Sequence, residues 1–282
     1  MIQAIQRNTV LFVGLLLAGL IGALAAPALT SPRGAPGPTL FHAESIFGAV
    51  VAVLLVLGML AVIGIVVARF LNAAVGLFVV GAGLFVLTGQ LETVQELAFA
   101  GNGSRSTLVM LAVETAVWAG LALLMTIVVF ALGGPLPDVE PKEYGQPPHP
   151  LLSADAFKCA AAGALMLPAI WLIAQSPMKG QMVGTAVAGG VLAGLAGRLF
   201  SPHVQPMLVF ASPVLFGAIG HLLAMIMLKQ PMDEAFVTGN LSRFALPMPI
   251  DLAAGSLMGV AIGLGWAKAF LQHEDDPKDV RG

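Results

Sequence analysis

The sequence predicts an all-α polytopic membrane protein, an eight-span bundle built as a tandem 4+4 parallel internal repeat. Three observations carry that prediction: a charge deficit, a series of long apolar runs, and a short motif that recurs between them. Of 282 residues, 58% are hydrophobic and 10% are Asp, Glu, Lys or Arg. Soluble domains run near ~25% charged, so this chain lacks the charge for a water-facing surface. Mean hydropathy is +0.93. About eight helices of about 20 residues, with their loops, consume the whole chain and leave no room for a soluble catalytic domain.

The apolar runs are Val10–Ala25, Ile46–Ala68, Ala73–Thr88, Leu108–Leu132, Ala156–Ala174, Met182–Ala196, Met207–Leu228 and Ile250–Phe270. Arg7, the first run and Ala23-Leu24-Ala25 resemble a cleavable signal peptide, and cleavage leaves seven spans. Retention is expected because the repeat requires the first span as partner of the fifth. Arg69 to Asn72 makes a tight hairpin between spans two and three, and Gly197 to Pro206 a second short connection. Pro168 lacks an N–H and is expected to kink span five.

With an even number of spans, both termini lie on one side. An inside N-terminus places Arg7, Arg69, Lys142, Lys158, Arg198, Lys268, Lys278 and Arg281 in the cytoplasm, against Arg33, Arg105, Lys179, Lys229 and Arg243 outside. That excess has the direction of the positive-inside rule and fits an inner (cytoplasmic) bacterial membrane. The segment from Gly133 to Pro150 holds six prolines and reads as an extended cytoplasmic linker. The domain boundaries follow: a first four-helix repeat at 1–134, a linker at 135–152, a second repeat at 153–270 and a charged cytoplasmic tail at 271–282.

Glu96 to Arg105 reads ELAFAGNGSR and Glu234 to Arg243 reads EAFVTGNLSR, 138 residues apart, matching at Glu, Gly, Asn, Ser and Arg. ARFL at 68–71 and GRLF at 197–200 form a weaker echo at a different offset. Units of four spans keep the same orientation, so their pseudo-twofold axis runs along the membrane normal. GNxSR itself has a plain structural explanation in a turn, a helix cap and a headgroup anchor. The alternative makes Arg105 and Arg243 paired recognition residues for an anionic solute.

Few ionisable groups remain inside the spans. Glu114, in LVMLAVETAVWAG, is the first-choice transport residue, since a carboxylate facing lipid is costly and belongs against helices or a cavity. Trp118 lies one turn beyond it. Asp251 follows Pro247 and Pro249, which either introduce a helix with Asp251 in its first turn or kink a longer one that carries Asp251 deeper. In the deeper arrangement Asp251 and Glu114 line one path. His221, the histidine well inside an apolar span, reads as an interhelical hydrogen bonder or a proton relay. His42 and Glu44 stand at the entrance to span two. Ser153, Asp155 and Lys158 mark the start of span five.

Several classes are excluded or weakened. Dispersed basic residues offer no nucleic-acid surface. Cys159 is the sole cysteine and reads as a small packed residue. HExxH, GxSxG, P-loop and clustered metal-ligand patterns are all missing, so an enzyme is disfavoured and no cofactor or metal is expected. Gly255, Gly259 and Gly263, with Gly190, Gly194 and Gly197, form small-residue stripes that join helices, subunits or a homo-oligomer. The expected function is a small secondary permease or channel-like transporter of an unnamed solute, proton- or cation-coupled, with Glu114, Asp251, His221, Arg105 and Arg243 as its transport or gating residues. The alternative is a noncatalytic integral subunit of a larger membrane complex.

Overall fold

A computed structural model describes residues 2–100, 104–139 and 148–274. It is 76% helix, with no named strand among the described residues. The helices are α1 (Ile2–Ala23), α2 (Ile46–Phe70), α3 (Ala73–Thr88), α4 (Val94–Phe99), α5 (Arg105–Gly133), α6 (Ala154–Ala161), α7 (Met166–Ile173), α8 (Lys179–Phe200), α9 (Met207–Met227), α10 (Met232–Val237) and α11 (Pro249–Glu274). Among the described residues, seven helices are long and apolar enough to cross a membrane, α6 and α7 counting together as one. The protein is an integral membrane protein. In hydrocarbon every backbone N–H and C=O must be satisfied within the chain, and a helix does so locally.

Polar side chains set where these helices start. Ser45 caps α2 by accepting from the Gly48 N–H at 3.1 Å, Asn72 caps α3 through Val75 at 3.0 Å, and Ser153 caps α6 through Ala156 at 3.1 Å. Such a cap contributes about 1 kcal/mol. Between α6 and α7 the chain tightens into a 3-10 turn at Ala162–Leu165. Pro168 cannot donate to the carbonyl four residues earlier, and the break falls there, as expected. α11 runs on to Glu274, so its helix enters the segment that the sequence marks as a tail. Residues 275–282 lie outside the described residues, as do 140–147 of the linker and Gly101, Asn102 and Gly103 of the first GNxSR copy.

α8 and α11 make the most extensive helix contact, and their glycines explain it. A Cβ at Gly259 would stand 2.2 Å from the Val187 carbonyl oxygen, and one at Gly263 the same distance from that of Val191. From the other side, a Cβ at Gly194 would meet the Val260 oxygen at 2.5 Å. The two backbones therefore touch along the stripe, where dispersion contacts take the place of a hydrophobic driving force. These glycines are used within the bundle. α11 also packs on α3, α5 on α9, and α1 and α2 on α3. α11 is the most enclosed span and α1 the least, with Phe12, Leu16 and Leu20 exposed on its outer face.

The connections gather at two ends of the bundle. At one end Arg33 pairs with Glu96 at 3.3 Å, the Ser31 hydroxyl donates to Glu96, and Phe99 of α4 meets Phe236 of α10 edge-on. At the other, Arg69 donates to the Leu132 carbonyl at 2.8 Å, and the Gln205 amide exchanges two hydrogen bonds with the Leu136 backbone. Arg198, buried, donates to the carbonyls of Asp138 and Pro202, each at 2.6 Å. The start of the linker is thus fastened to the bundle up to Asp138, where the proline content alone reads as free extended chain.

Candidate functional site

Glu114 sits on the third turn of α5, fully buried. Its Oε1 accepts from the Leu40 N–H at 2.9 Å and its Oε2 from the Phe41 N–H at 3.2 Å. The segment ahead of α2 contains Pro36 and Pro38 and folds back against α5 without helical hydrogen bonds of its own. The Leu40 and Phe41 amides are taken from water without a backbone acceptor, and the carboxylate supplies one to each. Thr39 and Trp118 also stand beside the carboxylate. The Trp118 indole N–H is buried and falls outside hydrogen-bonding geometry.

Thr107, Met110, Leu111 and Glu114 share one face of α5 and line a cavity of about 190 Å³ with Thr39, Phe41, His42, Leu97 and Ala100. Counted from the α5 N-terminus, Glu114 is the deepest of its four residues on this wall. His42 is held by its backbone N–H, which donates to the Thr39 hydroxyl at 3.2 Å. Its Nε2 is buried without a hydrogen-bond partner among the described residues. Burial holds the His42 imidazole below its ordinary pKa; Glu96 opposes that shift and Arg33 adds to it. His42 is therefore predominantly neutral at neutral pH.

Asp251 is placed elsewhere. α11 begins at Pro249, so Asp251 lies in the first turn rather than deep in a kinked helix. It is nonetheless fully buried. Its carboxylate accepts from the Met248 N–H at 3.0 Å, from the Thr88 hydroxyl at the end of α3, and from the Lys179 ammonium at 3.0 Å. Asp251 does not line the Glu114 cavity. The expectation of two carboxylates on one path is corrected by this geometry, because the internal ammonium and hydroxyl occupy Asp251.

His221, fully buried on α9, bridges α5 to the segment before α11. Its Nε2 lies 2.9 Å from the Pro247 carbonyl oxygen and its Nδ1 lies 3.1 Å from the Thr115 hydroxyl. A carbonyl only accepts, so Nε2 carries a proton; the Thr115 hydroxyl donates to the Leu111 carbonyl at 2.7 Å, with its oxygen beside Nδ1. The three groups selected from sequence thus fall along one seam: Glu114 precedes Thr115, His221 joins Thr115 to Pro247, and Met248 binds Asp251. The arginines stand apart from it. Arg105 donates to the Leu228 carbonyl at 3.1 Å, and Arg243 to that of Trp171 at 2.7 Å with its guanidinium over the Trp171 ring. Both guanidiniums tie helix ends together, and neither lines the cavity.

Sequence reasoning missed Lys179, Thr88, Thr39 and Thr115. Lys179 reads as an ordinary loop charge ahead of a span. No group of three or more potential metal ligands occurs among the described residues. Taken together, the fold and site define a helical integral membrane protein with an acid-ended pocket at one end of its bundle. Comparison with known protein families, curated proteins and solved structures finds no match.

Proposed function

We propose that the protein is a small secondary permease or channel-like transporter, with proton or cation coupling, whose solute enters the cavity beside Glu114. The observation that carries this reading is a buried carboxylate at the deep end of a pocket within the helical bundle. A carboxylate kept from lipid and adjoining a cavity is a binding group for a cation or proton. Asp251 and His221 hold the neighbouring helix starts in position, and Arg105 and Arg243 join helix ends, so their part in transport is to keep this architecture.

The same reading takes the chain across the membrane eight times in a 4+4 arrangement, with termini in the cytoplasm of a bacterium and the pocket facing outward. α3 would be a short eighth pass of about 24 Å. Support comes from α4 and α10, whose bounds are offset by the same 138 residues as the GNxSR copies. It comes also from packing that exchanges the halves: α5 rests on α9, and α11 on α3. The alternative, a noncatalytic subunit, loses the feature it drew on, because the glycine stripes of α8 and α11 face each other. Flux measured with purified protein in liposomes tests the proposal. Uptake above that of empty vesicles, reduced by Glu114→Gln, is expected; traces identical to empty vesicles across pH and ion gradients would overturn it.

A further inference from the structure

Most arginines of this protein are engaged internally. Arg33 donates to the Glu96 carboxylate, and Arg69, Arg105, Arg198 and Arg243 each donate to a backbone carbonyl. Arg7 is exposed on α1 and makes no hydrogen bond or ion pair among the described residues. With Gln6, Val10 and Phe70, the last residue of α2, it lines a cleft of about 290 Å³. No carboxylate lines the cleft among the described residues, and α1, α2 and α3 contain no Asp or Glu. A guanidinium offers five N–H donors and does not lose its charge. The counter-charge for Arg7 therefore comes from outside these helices.

We infer that this cleft binds the phosphate headgroup of an anionic phospholipid. The inference goes beyond the transport reading and does not rest on it. A guanidinium gives two parallel N–H groups to two phosphate oxygens, a fit that a lysine ammonium lacks, and Gln6 adds an amide donor. The depth is that of a headgroup. Arg7 is the one charged residue of α1, and the uninterrupted apolar part of that helix starts at Val10, so the cleft marks the boundary between headgroups and hydrocarbon. The lining decides the source of the phosphate. Val10 and Phe70 make half of the named wall apolar, and the exposed faces of both helices continue apolar through Phe12, Val13, Val62 and Val66. Acyl chains attached to the phosphate lie against those faces, whereas free phosphate gains nothing from them. A zwitterionic headgroup brings a cation for which the cleft holds no acid.

The test is native mass spectrometry of the purified full-length protein in detergent, titrated with dioleoyl phosphatidylglycerol, dioleoyl phosphatidylcholine or inorganic phosphate. Saturable retention of phosphatidylglycerol in preference to phosphatidylcholine is expected. Arg7→Gln should weaken it by about tenfold or more, the loss typical of a charge-assisted hydrogen bond. Val10→Trp, which fills the cleft and keeps the charge, should weaken it by a similar factor, and it decides the matter if Arg7→Gln does not fold. Arg33→Gln removes an arginine at the other end of the bundle and should leave retention unchanged. Equal retention of the two lipids, or retention unchanged in both cleft variants, would overturn the inference. So would a loss in Arg33→Gln as large as that in Arg7→Gln, which reduces the effect to net charge. Displacement of the lipid by equimolar inorganic phosphate would show a free-anion site and overturn the lipid assignment.

Discussion

The Lys179 ammonium lies 3.0 Å from the Asp251 carboxylate, with the aspartate side chain 1% exposed and the lysine 17% exposed. The pair joins the first turn of α8 to the first turn of α11 at the end of their glycine contact. Removing one member leaves a buried charge without a partner, which costs more than the pair contributes. Lys179→Met is expected to lower stability by about 3 kcal/mol, and the double variant Lys179→Met, Asp251→Asn to recover most of that loss. A double-mutant cycle on unfolding in detergent checks this; strictly additive single effects would show that the two groups do not interact.

The α8–α11 contact leaves no space for a methyl group at Gly259, where the obstacle is the Val187 backbone rather than a flexible side chain. Gly259→Ala must push the helices apart and should destabilise by roughly 1–3 kcal/mol. Gly265, on the same helix, has nothing within 4 Å of a built Cβ. Gly265→Ala is expected to be neutral or slightly stabilising. Thermal unfolding of the two variants side by side distinguishes a packed stripe from a general glycine effect.

His221 is the clamp on the segment that leads into α11. His221→Ala strips the donor from the Pro247 carbonyl in a site closed to water, at about 1–3 kcal/mol for a buried polar group left unsatisfied, while Thr115 keeps its bond to the Leu111 carbonyl. The loss should concentrate locally, as faster amide exchange at Ala245 and Leu246, whose N–H groups close the turn from Ser242 and Arg243. Hydrogen–deuterium exchange reads this directly. Unchanged protection there, with a uniform loss elsewhere, would refute the clamp.

Burial lowers the His42 pKa from its ordinary value of 6.5, so the folded state holds this proton less firmly than the unfolded chain does. By linkage, His42 contributes stability above that ordinary value and loses it as pH falls through the lowered one. The group is half-buried, so the effect is modest. Wild type should lose more of its unfolding midpoint on acidification from about pH 7.5 to about pH 5 than His42→Gln does. Parallel pH profiles would refute the assignment.

Composition and local pattern alone determined that this is a helical membrane protein, that Pro168 breaks its helix, that Ser153 caps one, and that Glu114 turns away from lipid. Each follows from hydropathy, from a missing N–H or from a side chain reaching two or three residues along the chain, all of which are local. Tertiary structure decided the site itself. Glu114 meets Leu40 across 74 residues, and Asp251 meets Lys179 across 72 and Thr88 across 163. Two buried acids look alike in sequence, because residue type and hydrophobic setting do not specify which distant donor packing brings within reach. Here packing brings an ammonium to Asp251 and leaves Glu114 beside a cavity.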